Sequence, residues 1–489
     1  MKKITILTTT GLLLLAASCG KGDIQISKQL DKEVAITPDY KDVTIPQNIA
    51  PMNFQTSLEN PTCVVIEGKG TQLTVHAKDG VFQIPESDWK KLLADNAGGD
   101  LKMTVCEEQG GNWQAYQPFT MHVAAEKADP YVAYRKLQSR YEQFYRLGIY
   151  QRNIETYEES PIYENKLTDY NCVNCHSFPM QNPEKMQFHM RAKFAGTVLM
   201  RDGHVEKLNT KTDDTMSALV YPYWHPSEKY IAYSVNLTAQ NFFHHQDNIL
   251  EVYDNNSDVV IYDVEKHEVF ANEAIKNDSV WESFPTFSPD GKSLYFLSAQ
   301  GQKQMPQEYK SVKYSLCRVD FDPATRTIGT RIDTLYNADK EGKSVSFPRI
   351  SPDGKLMVVG LQEFGNFSAW HKDCDMYAIR MDSGEMYPLT EANSEESDSY
   401  HSWSSNSRWM VFSSRRLDGL YTRLYMTYID ESGKAHKPFL LPQKNPVEFY
   451  DNLMEAYNIP EFIKGKVKLD KHEVASIMRE SQGIDIKFK

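Results

Sequence analysis

One turn, Ser-Pro-Asp-Gly-Lys, recurs in register and constrains the fold of this chain more than any other feature. It closes Phe284-Pro285-Thr286-Phe287-Ser288-Pro289-Asp290-Gly291-Lys292 and Phe347-Pro348-Arg349-Ile350-Ser351-Pro352-Asp353-Gly354-Lys355. An earlier copy reads Tyr221-Pro222-Tyr223-Trp224-His225-Pro226-Ser227-Glu228-Lys229. A degenerate fourth reads Tyr400-His401-Ser402-Trp403-Ser404-Ser405-Asn406-Ser407-Arg408. Pro226, Pro289 and Pro352 follow one another at 63 residues. In each copy an apolar strand enters the turn, and in the two full copies Pro fixes φ and Gly permits a positive φ. The strand that leaves it, such as Leu356-Met357-Val358-Val359, is apolar on both faces and must be covered on both sides. An outer strand follows, for example Val260-Ile261-Tyr262-Asp263 or Thr427-Tyr428-Ile429-Asp430. About four strands per repeat without an intervening helix predicts a mainly β chain whose residues 186–445 form a β-propeller. Five blades are readable, with 187–210 as an early one, and a sixth fits in less regular sequence.

The flanks predict smaller units. Residues 46–126 carry short alternating strands between Gly, Asn and Asp, which reads as a small immunoglobulin-like β-sandwich. A short helical segment, Asp88 to Leu93, interrupts it. Residues 19–45 are polar and lack a clear period, so they read as a tether. Residues 127–185 hold a linking helix and a cysteine motif. For the helix, over 129–147, Asp129 is the cap, Pro130 the first helical residue and Gly148 the stop. Tyr134, Leu137, Tyr141, Phe144 and Tyr145 share its face. In the tail, 446–489, helices are expected from Val447 to Tyr457, ended by Pro460, and from Lys471 to Glu480.

The first residues concern export. Lys2 and Lys3 precede a mostly apolar stretch too short to stay in a bilayer as a helix. Its end, Leu15-Ala16-Ala17-Ser18-Cys19, resembles a bacterial lipoprotein signal. That resemblance implies removal of 1–18, acylation of Cys19 and a lipid as the membrane tether. Gly20 after the cysteine implies the outer membrane by the same analogy, with the periplasmic or surface face left open. A plain secretory peptide with an incidental Cys19 is the alternative. Seven cysteines are too few for a disulfide scaffold, but an oxidising compartment would let Cys63 and Cys106 pair. A net charge of −12 excludes a general nucleic-acid binder.

One motif carries chemistry: Asn171-Cys172-Val173-Asn174-Cys175-His176-Ser177-Phe178-Pro179. Cys-x-x-Cys-His is the spacing of covalent c-type haem attachment. Cys172 and Cys175 would bind the porphyrin edge and His176 would be the proximal ligand of the iron. Met186, Met190 or His189 are the candidates for the distal position. Arg152, Arg191 and Lys193 are candidates to pair with haem propionates, though surface ion pairs would use the same residues. Zinc with help from His189, a redox dithiol, a tight disulfide, or no cofactor at all are the competing readings.

The repeats suggest a second site. Strands entering the Pro-Asp-Gly turns line a propeller channel, bringing Tyr221, Trp281, Phe284, Phe347, Tyr400 and His401 together, with Trp403, Arg415 and Arg416 nearby. An aromatic and cationic mouth suits a peptide or glycan. Blade-to-blade packing is the plainer reading of the same aromatics.

The repeated Ser-Pro-Asp-Gly-Lys turn resembles the TolB-like propeller family across about half the chain. The order of lipoprotein signal, small β domain, Asn-Cys-Val-Asn-Cys-His-Ser-Phe and repeats resembles a group of exported proteins of Bacteroides-type bacteria. Such a resemblance implies fold, not activity. No Gly-x-Ser-x-Gly elbow and no His-Glu-x-x-His is present. Three functional expectations follow. The first is an envelope lipoprotein with a haem for electron transfer or redox sensing, its propeller docking a partner. The second is a non-catalytic scaffold binding peptide, glycan or an envelope protein. The third is a peroxidase-like haem enzyme with His189 above the iron.

Overall fold

A computed structural model describes residues 24–138, 146–243 and 248–489. The export stretch with Cys19 lies outside the described residues, as do Tyr141, Phe144 and Tyr145 of the expected aromatic stripe. Among the described residues no helix is long and apolar enough to cross a membrane.

The chain is mainly β. Its N-terminal part builds a seven-stranded sheet and a three-stranded sheet. The helix Glu86–Asp95 tucks Trp89, Leu92 and Leu93 into their shared core, and the Trp89 indole donates to Ile49 O at 3.1 Å. The expected tether is partly built into these sheets. Ile26–Gln29 pairs in parallel with Asn112–Ala115, and Val43–Ile45 pairs in parallel with Phe119–Val123. Pieces of two to four residues are too short to show a period, which is why they read as polar linker. Cys63 and Cys106 face one another across neighbouring antiparallel strands.

Six consecutive sheets follow, each a meander of neighbouring strands. Five of them open with the strands here named β1 (Val173–Ser177), β2 (Val220–Trp224), β3 (Val280–Phe287), β4 (Ser344–Ile350) and β5 (Asp398–Trp403). The remaining sheet comprises Tyr131–Gln138, Leu147–Asn153 and Glu159–Glu164, and it is completed by β6 (Glu455–Ile463) from the C-terminal region. β1 packs on β2, β2 on β3, β3 on β4, β4 on β5 and β5 on β6, while Leu147–Asn153 packs back on β1. The ring closes because a late strand completes the earliest sheet. Arranged around one axis in this way, the sheets are β-propeller-like.

Two expectations are corrected. Residues 129–147 do not form a helix: Tyr131–Gln138 and Leu147–Asn153 are antiparallel strands. Both faces of the first strand are covered, so apolar residues at helical spacing are also apolar residues of a doubly buried strand. Asp129 caps no helix. Its carboxylate accepts from Ser405 N at 2.6 Å and Ser405 Oγ at 2.7 Å, tying the N-terminal part to the fourth turn. The expected helix from Val447 to Tyr457 is confined to Pro446–Asp451, capped by Asn445, and the chain then extends as β6 with Pro460 inside it. Lys471–Glu480 is helical as expected, with Asp470 accepting from His472 N and Glu473 N. Beyond it, Ile484–Asp485 and Lys487–Phe488 add to the outer edges of the sheets that begin with β1 and β2. The sheets therefore extend past 186–445 at both ends.

The turns explain the repeat. Ser288 Oγ donates to Asp290 Oδ1 at 2.5 Å and accepts from Ser293 N, while Lys292 N donates to the same carboxylate. Gly291 sits at φ 72°. Ser351, Asp353 and Gly354 repeat this network. The degenerate copy keeps it with Asn406 in place of Asp and Ser407 at φ 62° in place of Gly. Ser405 replaces the proline, and its freed N–H is the one Asp129 accepts.

Asp129→Ala should therefore destabilise the chain by about 2 kcal/mol, the scale of hydrogen bonds to a charged group. Urea unfolding measures this, and a loss below about 0.5 kcal/mol would contradict the tie.

Candidate functional site: a cationic cavity on the axis

Each of β1 to β6 carries a register shift, and at each shift one non-glycine residue has a positive φ. They are Cys175 (54°), Tyr221 (47°), Phe284 (46°), Phe347 (47°), Tyr400 (52°) and Ile459 (51°). A bulge of this kind re-aims a side chain out of the sheet, here toward the axis. The aromatic members meet in succession: Tyr221 and Phe284 at 4.7 Å between centroids, Phe284 and Phe347 at 5.9 Å, Phe347 and Tyr400 at 5.1 Å. Phe367 fills the arc, 5.6 Å from both Tyr221 and Phe284.

The cysteine motif is therefore one more copy of the axial strand. Cys175-His176 occupies the place of Tyr221-Pro222, Phe284-Pro285, Phe347-Pro348, Tyr400-His401 and Ile459-Pro460. The sequence signal for this was Phe178 three residues after Cys175, where Trp224, Phe287, Ile350 and Trp403 follow their own bulge residues, masked by a cysteine where four other copies have an aromatic ring.

A cavity of about 260 Å3 lies above the ring. Cys172, Cys175, Tyr221, Tyr400 and Arg415 line it, as do Arg135, Arg191 and Trp370. The long hairpin of Tyr230–Phe242 and Leu250–Asp263 contributes Gln240 and Phe242 to its wall. Three arginines line this cavity, and among the described residues no aspartate or glutamate does. Arg415 is held by a 2.6 Å bond from Nε to Ala369 O and stacks 3.4 Å from the Trp370 ring centroid. Burial lowers its pKa to about 9, and it stays charged at neutral pH. Arg135 reaches Cys172 Sγ at 3.7 Å, and its buried Nε has no hydrogen-bond partner among the described residues. Burial pushes the Tyr400 hydroxyl up to about 12, against the pull of Arg135 and Arg415. Nearby Arg416 and Arg423 are paired, with Asp398 at 2.7 Å and Asp418 at 2.9 Å. Arg135, Arg191 and Arg415 have no carboxylate within ion-pair distance among the described residues.

The other expected site residues lie elsewhere. Met186 and Met190 are fully buried with Phe188 against Tyr163 and Met478, on the face of their strand turned from the cavity. His189 bonds Thr197 Oγ1 at 3.0 Å and lines the neighbouring cavity between the sheets that begin with β1 and β2, not this one. His401 bonds Val358 O at 2.8 Å between sheets. Trp281 is buried beside Gly301 and does not line the cavity. Arg152 is buried against Tyr157, and Lys193 pairs with Asp169 at 3.0 Å on the surface. Sequence reading missed Arg135 and Trp370 because neither stands in a repeated segment.

This arrangement does not fit a c-type haem ligated by His176. The two cysteines line the cavity, but the imidazole lies on the opposite side of β1, wholly buried, 3.6 Å from Glu461 Oε1. Neither ring nitrogen has a hydrogen-bond partner among the described residues. Burial, then the Arg135 charge, pull His176 down to about 3, so the ring is neutral. Glu461 lines a small cavity of about 70 Å3 at the far end of the axis, where burial pushes its carboxyl up to about 8. Among the described residues no group of three or more His, Cys, Asp or Glu is gathered as metal ligands would be.

No family model matches the chain, and no curated protein matches it. Solved structures similar to it include prolyl oligopeptidase B from Galerina marginata, at 12% identity and TM-score 0.37, over 70% of this chain and 42% of that one. An oligogalacturonate lyase from Vibrio parahaemolyticus is 11% identical at TM-score 0.32, over 59% and 85%. A DUF4784 family protein from Bacteroides caccae is 9% identical at TM-score 0.30, over 73% and 96%. The chain spans less than half the length of the first of these. At such scores the likenesses carry no argument about activity.

The buried histidines set a pH dependence. His176 and His401 are both held near 3 by burial, while the unfolded chain takes up these protons below about 6.5. Stability should fall as pH drops through that window. His176→Phe should flatten the acid limb, so that Tm falls less between pH 7 and 5 than in the wild type. An unchanged slope would contradict a neutral, buried His176.

Proposed function

We propose that this chain is an exported, lipid-anchored envelope protein whose six sheets form a TolB-like propeller behind an immunoglobulin-like domain. On this reading the propeller is a receptor for an anionic ligand taken at the axial cavity. The observation that carries it is a cavity walled by Arg135, Arg191 and Arg415 with no carboxylate among the described residues to neutralise them. Guanidinium groups present planar forks that match carboxylate or sulfate oxygens. Tyr221, Tyr400 and Trp370 supply apolar surface for the rest of the ligand. The haem reading has one observation in its favour, that Cys172 and Cys175 share the cavity wall, and one against it, the turned-away His176.

Calorimetric titration with methyl glucuronide and with sulfate tests the receptor reading. Binding is expected, weakened about tenfold by Arg135→Ala, the loss of one charge-assisted hydrogen bond. Absence of binding by both anions would overturn it. Protein made in a host that matures c-type cytochromes should show no covalent haem band. A band surviving acid–acetone extraction and lost in Cys172→Ala would return the assignment to electron transfer.

A further inference from the structure

A second cavity, of about 710 Å3, lies between the sheets that begin with β1 and β2, and it shares Arg191 and Tyr221 with the first. Its wall adds Lys211, Asn209, Thr210, Ser217 and Thr238. Among the described residues no aspartate or glutamate lines it either. Lys211 is exposed and has no ion-pair partner among the described residues. Cationic side chains thus line both cavities, Arg135, Arg191 and Arg415 the first and Arg191 with Lys211 the second.

A single small anion would leave most of this space empty. A chain of anionic units would follow it. The lining between the cations also selects among chains. Gln138, Asn174, Gln240 and Asn458 around the first cavity are amide side chains, and hydroxyls and amides continue around the second. Such groups both donate and accept, matching sugar hydroxyls, which do the same. Beyond Ser234 the strand Tyr230–Phe242 is paired on one side only, so its free edge offers an acidic peptide the alternative that hexaglutamate tests.

We infer that the ligand is an acidic oligosaccharide, with one acidic unit in the axial cavity and the next units passing over Arg191 and Tyr221 into the second cavity. This rests on the receptor reading above and extends it from an anion to a class of polymer. The acid group is a carboxylate or a sulfate, both of which the arginines accept.

The test titrates the full mature chain with mannuronate oligomers of one to six units. Sulfated oligosaccharides, neutral cello-oligosaccharides and hexaglutamate of matching length serve as the other arms. Affinity should rise at least tenfold from one unit to four in an acidic series, and the neutral series should not bind. The series that binds identifies the acid group. Lys211→Ala should weaken the tetramer about threefold or more and leave methyl glucuronide unchanged. If methyl glucuronide binds through Arg135 but affinity is flat with length and Lys211→Ala is silent, the oligosaccharide is overturned while the receptor stands. Preference for hexaglutamate would overturn it in favour of an acidic peptide. Failure of every anion would overturn both.

Discussion

Six strained backbone positions organise this molecule. A left-handed residue at each axial bulge is costly for any side chain but glycine, and each persists because its sheet and its neighbours over-determine it. The reward is geometric: six strands deliver six side chains to one ring. Four are aromatic and pack as an arc, while Ile459 and Cys175 complete the circle. Closure depends on β6, since the earliest sheet lacks its axial strand until the chain returns from its C-terminal region. The cavity, the cysteine motif and the arginines are all placed by this ring.

The electrostatics follow from that packing. A ring of apolar groups forms a low-dielectric floor, and charges set above it interact more strongly than they would in water. Arg415 is ordered by Ala369 O and Trp370 rather than by a carboxylate, which leaves its charge available to the cavity. Below the floor the same desolvation works the other way, keeping His176 and His401 neutral and Glu461 largely protonated. One end of the axis therefore carries three arginines, while at the other Arg349 lies over Phe347 beside the raised Glu461 carboxyl.

Much of the fold was legible because turn chemistry is local. Ser, Asp and Gly at fixed offsets write the same hydrogen bonds each time, and even the degenerate copy with Asn406 and Ser407 could be matched. What was not legible involves distant partners. Asp129 looks like a cap until Ser405, far along the chain, is seen to take its carboxylate. Tyr131–Gln138 looks helical because a strand covered on both faces has no alternation to show. Cys172, Cys175 and His176 match a haem spacing, yet the bulge at Cys175 sends the thiols and the imidazole to opposite sides of β1. Tyr221, Tyr400 and Arg415 were found through the repeat. Arg135 joins them across the ring, with no sequence signal to announce it.

Cys172 offers the most direct measurement, because its thiol stands half-buried in the cavity wall beside Arg135 while the other described cysteines are buried. The modification rate of Cys172 by an anionic methanethiosulfonate should exceed that by a cationic one of equal size at least fivefold, and Arg135→Ala should reduce the ratio. Equal rates, or a Cys172 that never reacts because it is already covalently occupied, would contradict a cationic cavity on the propeller axis.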